Sequence, residues 1–229
     1  MLIRFLKMLV GIMLLPFCVG ESIAFFYFLG QVENIQSFAA LSNTQIFFFA
    51  GISTYIVLFF SGLKLKILYI FAHEAAHAVF TLLSGGKVKA FHVSKNGGSV
   101  TTTKTNVFIS LGPYFFPFYT LLAAAVFFIT GIFYKNISQY TNHFIYFIGL
   151  SIAFHFLMTV RTLKTEQSDV VGNGYLFSLT IIYLANVAIL AGMLSLVFRE
   201  LSFVDFFNRF VFHSQEVILF IWRKIPRAA

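Results

Sequence analysis

The stretch Phe71-Ala72-His73-Glu74-Ala75-Ala76-His77-Ala78-Val79-Phe80 carries the pattern His-Glu-x-x-His inside a strongly apolar run. On an α-helix, residues four apart lie about 40° apart around the axis, so His73 and His77 share one face. Two imidazoles on one face can bind one zinc ion, and Glu74 beside them can act as a general base toward water. Chance would produce this pattern about 0.004 times in a chain of this composition. The stretch therefore predicts a metal-binding helix.

The composition places this helix in a membrane. Hydrophobic residues make up 59% of the 229, charged residues only 10%, and the mean hydropathy is +0.87. Soluble chains average about 25% charged residues, so we predict an integral membrane protein. The sixteen Lys and Arg are scattered between apolar segments, which suits a lipid bilayer and its anionic headgroups and argues against nucleic acid. Ionisable groups inside a span are functional candidates.

The apolar segments predict an all-α polytopic membrane protein with about six transmembrane helices, one short β-hairpin and a C-terminal interfacial amphipathic helix. The expected spans are residues 6–30, 45–63, 67–83, 106–134, 142–160 and 175–198. We treat the chain as a single membrane domain, 1–229, in three parts: two N-terminal spans (1–63), a catalytic core (64–198) and an amphipathic tail (199–229).

Two irregular segments within the core have more than one interpretation. Residues 88–103 flank Asn96-Gly97-Gly98, a strong hairpin signal. The hairpin is either a polar connection or an edge strand that captures an extended substrate. Gly112-Pro113 and Pro117 interrupt the fourth span, which indicates either a proline-kinked helix or backbone that lines a wet cavity.

A catalytic zinc needs three protein ligands and an open position. Two candidates, Asp169 and Glu166, precede the sixth span, and Asp169 is preferred because it lies closer to apolar sequence, although a helix cap would also explain it. The other acids, apart from Glu74, lie in or after the first span, at an interface or in the tail: Glu21, Glu33, Glu200, Asp205 and Glu216. His155, inside the fifth span, either assists the chemistry or forms an interhelical hydrogen bond.

These residues together resemble a known family. His73-Glu74-x-x-His77, Gly85-Gly86 with the short β segment, Leu111-Gly112-Pro113 and Ser168-Asp169 are similar to motifs of the site-2-protease-type intramembrane zinc metalloproteases, peptidase family M50, in their compact M50B-like branch. The resemblance covers about residues 65–190. Many members have an Asn soon after Gly-Pro, where this chain has Tyr114-Phe115-Phe116.

The resemblance implies one Zn²⁺ held by His73, His77 and Asp169, with Glu74 activating water and Gly112 and Pro113 contacting substrate. It implies cleavage of a transmembrane or membrane-anchored protein in extended form, by a multi-pass protein that we expect in a cell (plasma) membrane. The alternative is a non-proteolytic membrane protein, a regulatory or assembly partner, whose zinc site is structural or vestigial. The substrate, the orientation and the oligomeric state do not follow from the sequence.

Overall fold

The structure, a computed structural model, describes residues 2–32 and 41–224, so Glu33 lies outside the described residues. The longer helices are α1 (Leu2–Gly30), α2 (Asn43–Phe60), α3 (Lys66–Leu83), α5 (Phe118–Phe133), α6 (Thr141–Leu163), α8 (Tyr175–Val197) and α9 (Phe203–Lys224). Two short helices, α4 (Val107–Leu111) and α7 (Ser168–Asn173), two strands, β1 (Val88–Val93) and β2 (Gly98–Thr102), and two 3₁₀ turns, Gly112–Tyr114 and Ile137–Tyr140, complete the described elements. Five helices, or six with one bent pair, are long and apolar enough to cross a membrane. The predicted all-α polytopic fold is confirmed.

Contacts between residues divide the chain into two compact units. One contains residues 1–40 and 170–229, and the other contains residues 41–169. The second unit includes the His-Glu-x-x-His helix α3, the hairpin and Asp169. The predicted division of the chain at residues 63 and 198 stays a prediction.

Glycines allow α2 and α6 to approach each other closely within the unit of residues 41–169. A Cβ atom at Gly51 would collide with the carbonyl oxygen of Tyr146, and one at Gly149 would collide with the carbonyl oxygen of Phe48. Small residues at such contacts are typical of helices that pack in membranes, where van der Waals contact drives association. The α2–α6 pair therefore forms a closely packed support for the rest of the unit.

An aromatic core attaches α3 to this pair. Tyr55 of α2, Tyr69 of α3 and Phe154 of α6 are buried together with Ala153 and Met158. The rings of Tyr55 and Tyr69 both meet Phe154 edge-on, with centroids 5.2 and 6.3 Å away. Such contacts add to the free energy of burial and fix ring orientation. Tyr69 lies one helical turn before His73, so this core holds the histidine-bearing face in place.

The fourth span is broken where the prolines predicted it. After α4, a 3₁₀ turn covers Gly112–Tyr114, and α5 begins after Pro117 with a bend of 84° between the two parts. Asn106 caps α4, because its Oδ1 accepts a hydrogen bond from the Ile109 N–H at 2.8 Å. The bend brings α4 and the 3₁₀ turn against α3.

The predicted hairpin is confirmed as an antiparallel pair of β1 and β2. Val93 lies opposite Gly98, and the register shifts between Val88 and Ala90. The Ser94 hydroxyl closes the connecting loop by donating to the Gly97 carbonyl at 2.9 Å. Within the described residues this is the one sheet.

In the unit of residues 1–40 and 170–229, α1 packs against α8 and α9. Gly20 of α1 lies against Ser214 of α9, and the rings of Phe28 and Phe206 meet edge-on at 5.5 Å. Helix α9 is the amphipathic helix predicted for the C-terminal tail, and it exposes apolar side chains such as Val204 and Trp222.

Candidate metal centre

Helices α3 and α7 bring three potential metal ligands together. His73 Nε2 lies 3.9 Å and His77 Nε2 3.5 Å from Asp169 Oδ2. All three donor atoms lie within 4.8 Å of one another. A tetrahedral zinc ion with bonds of about 2.0–2.2 Å separates its ligand atoms by roughly 3.3–3.6 Å. The three side chains therefore fit a metal ion after only small adjustments.

A backbone carbonyl orients one of the histidines. His77 Nδ1 lies 2.7 Å from the carbonyl oxygen of Ile109. With Nδ1–H as the donor, the lone pair of Nε2 is directed toward Asp169, as ligation requires, and this partner fixes the tautomer. Ile109 is also the residue whose N–H is capped by Asn106. The sequence does not indicate the contact between Ile109 and His77, because it joins residues 32 positions apart.

Aromatic packing holds the other histidine. The ring of His73 packs nearly perpendicular to the rings of Tyr114 and His77. The ring centroids are 5.1 Å apart for Tyr114 and 5.0 Å apart for His77. Tyr114 is fully buried. In the sequence, Tyr114 is only a departure from the family pattern, because its contact with His73 depends on how the 3₁₀ turn packs against α3.

Asp169, and not Glu166, lies beside the histidines. Burial by itself would raise the pKa of Asp169, but the neighbouring imidazoles of His73 and His77 stabilise the anion and hold that pKa well below its usual range. Asp169 is therefore a carboxylate at neutral pH, the form that binds a cation. Glu166 is exposed and is not one of the residues that border the centre.

Glu74 lies beside the centre and in close contact with the hairpin. Its side chain is buried, with 8% of the residue exposed. A Cβ atom at Gly98 would lie 2.5 Å from Glu74 Cγ and 2.8 Å from Glu74 Oε1. Glycine is therefore needed at the start of β2 for the strand to approach Glu74 so closely.

Two cavities border the centre, and both are lined by His73, Glu74, Gly98 and Gln167. One has a volume of about 420 Å³ and a wall rich in hydroxyl groups, contributed by Ser99, Thr102, Thr105, Ser110 and Ser168. The other has a volume of about 500 Å³ and is also lined by Lys66, Tyr69, Asn96, Arg161, Thr162 and Thr165. Each cavity therefore provides open space beside His73 and Glu74.

Neither of the two cavities is lined by Gly112, Pro113 or His155. Gly112 is buried against the ring of Phe80. Pro113 and His155 border a small cavity of about 10 Å³ that also touches His73. That volume holds about one water molecule. Substrate contact by Gly112 and Pro113 stays a prediction.

The fold and the site define a helical membrane protein with a candidate metal centre on one of its apolar helices. The chain matches the family model described as Peptidase M50B-like over residues 45–198. This match covers about two thirds of the chain and includes His73, Glu74, His77 and Asp169, so the chain belongs to this family of membrane metallopeptidases. No curated protein matches the chain. No solved structure matches it either.

Proposed function

We propose that this protein is an intramembrane zinc metalloprotease that hydrolyses peptide bonds in or near transmembrane segments of membrane proteins, in a cell membrane. One observation carries the proposal. His73 and His77 on an apolar helix meet Asp169 from a distant part of the chain, with Glu74 and two cavities beside them. A structural zinc site is closed by its protein ligands, whereas this group borders open space, which favours catalysis over the structural alternative.

Each side chain of this centre has a separate role in hydrolysis. His73, His77 and Asp169 would hold one Zn²⁺, which would supply Lewis-acid polarisation of the substrate carbonyl and activation of water. Glu74 takes the proton of the attacking water and later delivers a proton to the leaving amine. The Ile109 carbonyl keeps His77 in the ligating tautomer throughout.

The substrate must present an extended backbone, because helical hydrogen bonds would shield the scissile carbonyl. Strand β2 supplies replacement partners. Gly98, Ser99 and Val100 line the smaller cavity beside Glu74, and β2 pairs with β1 alone among the described strands. An extended substrate segment added to the free edge of β2 would be held by backbone hydrogen bonds across the metal centre.

The test is Glu74→Gln, measured as zinc content and as cleavage of a membrane-protein substrate in detergent. We expect one zinc per chain in both proteins and no cleavage by the variant, because the amide keeps its volume but cannot take a proton. Cleavage by the variant at a rate near that of the wild type would refute the assignment of Glu74. Zinc bound at four protein ligands, with no cleavage by the wild type either, would favour the structural alternative.

A further inference from the structure

The larger cavity beside Glu74 has two cations in its wall. Lys66, the first residue of α3, and Arg161, in the last turn of α6, both line it. Neither forms an ion pair with a carboxylate anywhere in residues 2–32 and 41–224. Two positive charges therefore face a space of about 500 Å³ that continues to His73 and Glu74.

The charge balance of the surrounding unit leaves these cations without an internal counter-ion. Residues 41–169 contain nine Lys and Arg but only three carboxylates. Two of the three, Glu74 and Asp169, belong to the metal centre, and the third, Glu166, is exposed and does not line the cavity. The cavity wall thus holds two cations and one carboxylate, Glu74, so an anion that enters it meets a net positive charge.

The two cavities differ in the chemistry that they offer to a substrate. Apart from residues of the metal centre, the smaller cavity has hydroxyl groups and no charged side chain in its wall. The wall of the larger one contains the two cations and the amide group of Asn96, which can hydrogen-bond to a peptide, and the amide group of Gln167 lines both cavities. Gln167 is itself fixed, since its Nε2 donates to Thr165 Oγ1 at 2.7 Å. A substrate that extends from the metal centre into the larger cavity therefore meets positive charge, whereas one that extends into the smaller cavity does not.

We propose that the cavity lined by Lys66 and Arg161 is a specificity subsite for an acidic side chain, Asp or Glu, on one side of the scissile bond. The guanidinium of Arg161 suits a carboxylate because it presents paired N–H donors. The inference rests on the proposed function for its substrate class. Lipid headgroups are the ordinary partners of cations at helix ends, but a headgroup gives no reason for the cavity to continue to Glu74.

The experiment measures peptide binding to the zinc-loaded Glu74→Gln protein in a neutral detergent, by fluorescence anisotropy. The probes are uncharged ten-residue peptides in which a single Asp is moved through every position, each with an Asn counterpart. We expect Asp to tighten binding by roughly three- to tenfold at one or two adjacent positions and to have no effect elsewhere. A gain of this size is typical of partly exposed ion pairs.

Charge reversal at the cavity identifies the residues responsible. Arg161→Glu and Lys66→Glu should abolish the preference for Asp and favour peptides with Lys at the same positions. The matched control is Lys164→Glu, which changes the net charge equally at an exposed residue outside the cavity wall. This control should keep the Asp preference.

Several results would overturn the subsite. These are equal binding of the Asp and Asn peptides, no binding of any peptide, or an equal loss of preference in Lys164→Glu. Loss of binding to phosphatidylglycerol nanodiscs by Arg161→Glu, with peptide binding unchanged, would assign the cations to lipid instead.

Measurement of cleavage distinguishes failure of the subsite from failure of the proposed function. If the wild-type protein cuts Asp and Asn peptides equally, the proposed function stands and the subsite is refuted. If it binds Asp peptides selectively but cuts none, the subsite stands and the proposed function is refuted.

Discussion

Replacing Gly98 with Ala should slow catalysis while leaving the metal ligands intact. The added Cβ would lie 2.5 Å from Glu74 Cγ and 2.8 Å from Ile70 Cγ2. The first distance is about 0.9 Å shorter than an ordinary van der Waals contact, so either Glu74 or β2 must move by about that amount. Displacing a catalytic group by about 1 Å can reduce the rate by about 100-fold.

The assay compares kcat/KM for cleavage of one membrane-protein substrate by the wild type and by Gly98→Ala, with zinc content measured on the same samples. Zinc should stay at one per chain, because the three atoms nearest to the new methyl group belong to Glu74 and Ile70 and not to His73, His77 or Asp169. Overpacking should lower the free energy of unfolding by about 1–3 kcal/mol.

The matched control is Gly97→Ala, in the same hairpin. A Cβ atom at Gly97 would meet nothing within 4 Å, so this variant should cleave at nearly the wild-type rate. The reasoning is refuted if Gly98→Ala cleaves as fast as Gly97→Ala. It is also refuted if Gly98→Ala loses zinc in proportion to activity, since the methyl group would then act on the ligands and not on Glu74.

The remaining predictions concern the third ligand and the packing that supports the site. Asp169→Ala should reduce bound zinc well below one per chain by elemental analysis, whereas Glu166→Ala should retain it, and the opposite result would reassign the ligand. Gly51→Ala should lower the thermal stability by the equivalent of about 1–3 kcal/mol, because its Cβ would meet the Tyr146 carbonyl in the α2–α6 contact; an unchanged melting temperature would contradict that close approach. Asn106→Ala should cost about 1 kcal/mol through loss of the α4 cap, and an unaltered free energy of unfolding would show that the cap contributes nothing.

Several features of the fold were predictable because their causes are local. Helix α3, the break at Pro113 and Pro117 and the hairpin at Asn96-Gly97-Gly98 each follow from residues within a few positions of one another. A missing N–H at proline and a tight turn at Asn-Gly act on the adjacent backbone whatever the rest of the chain does. The spans follow from composition, since unpaired backbone groups cannot face lipid.

The sequence by itself determined that His73 and His77 share a helical face in a membrane protein, because helical periodicity and hydropathy are properties of neighbouring residues. It left Asp169 and Glu166 as alternatives and gave no sign that Tyr114, Ile109 and Gly98 contact the site. Only the tertiary structure decided that Asp169 lies beside histidines more than ninety positions away. The physical reason is that this contact depends on how α3, the bent fourth span and the segment after α6 pack together, and packing between distant segments leaves no periodic signal in the chain.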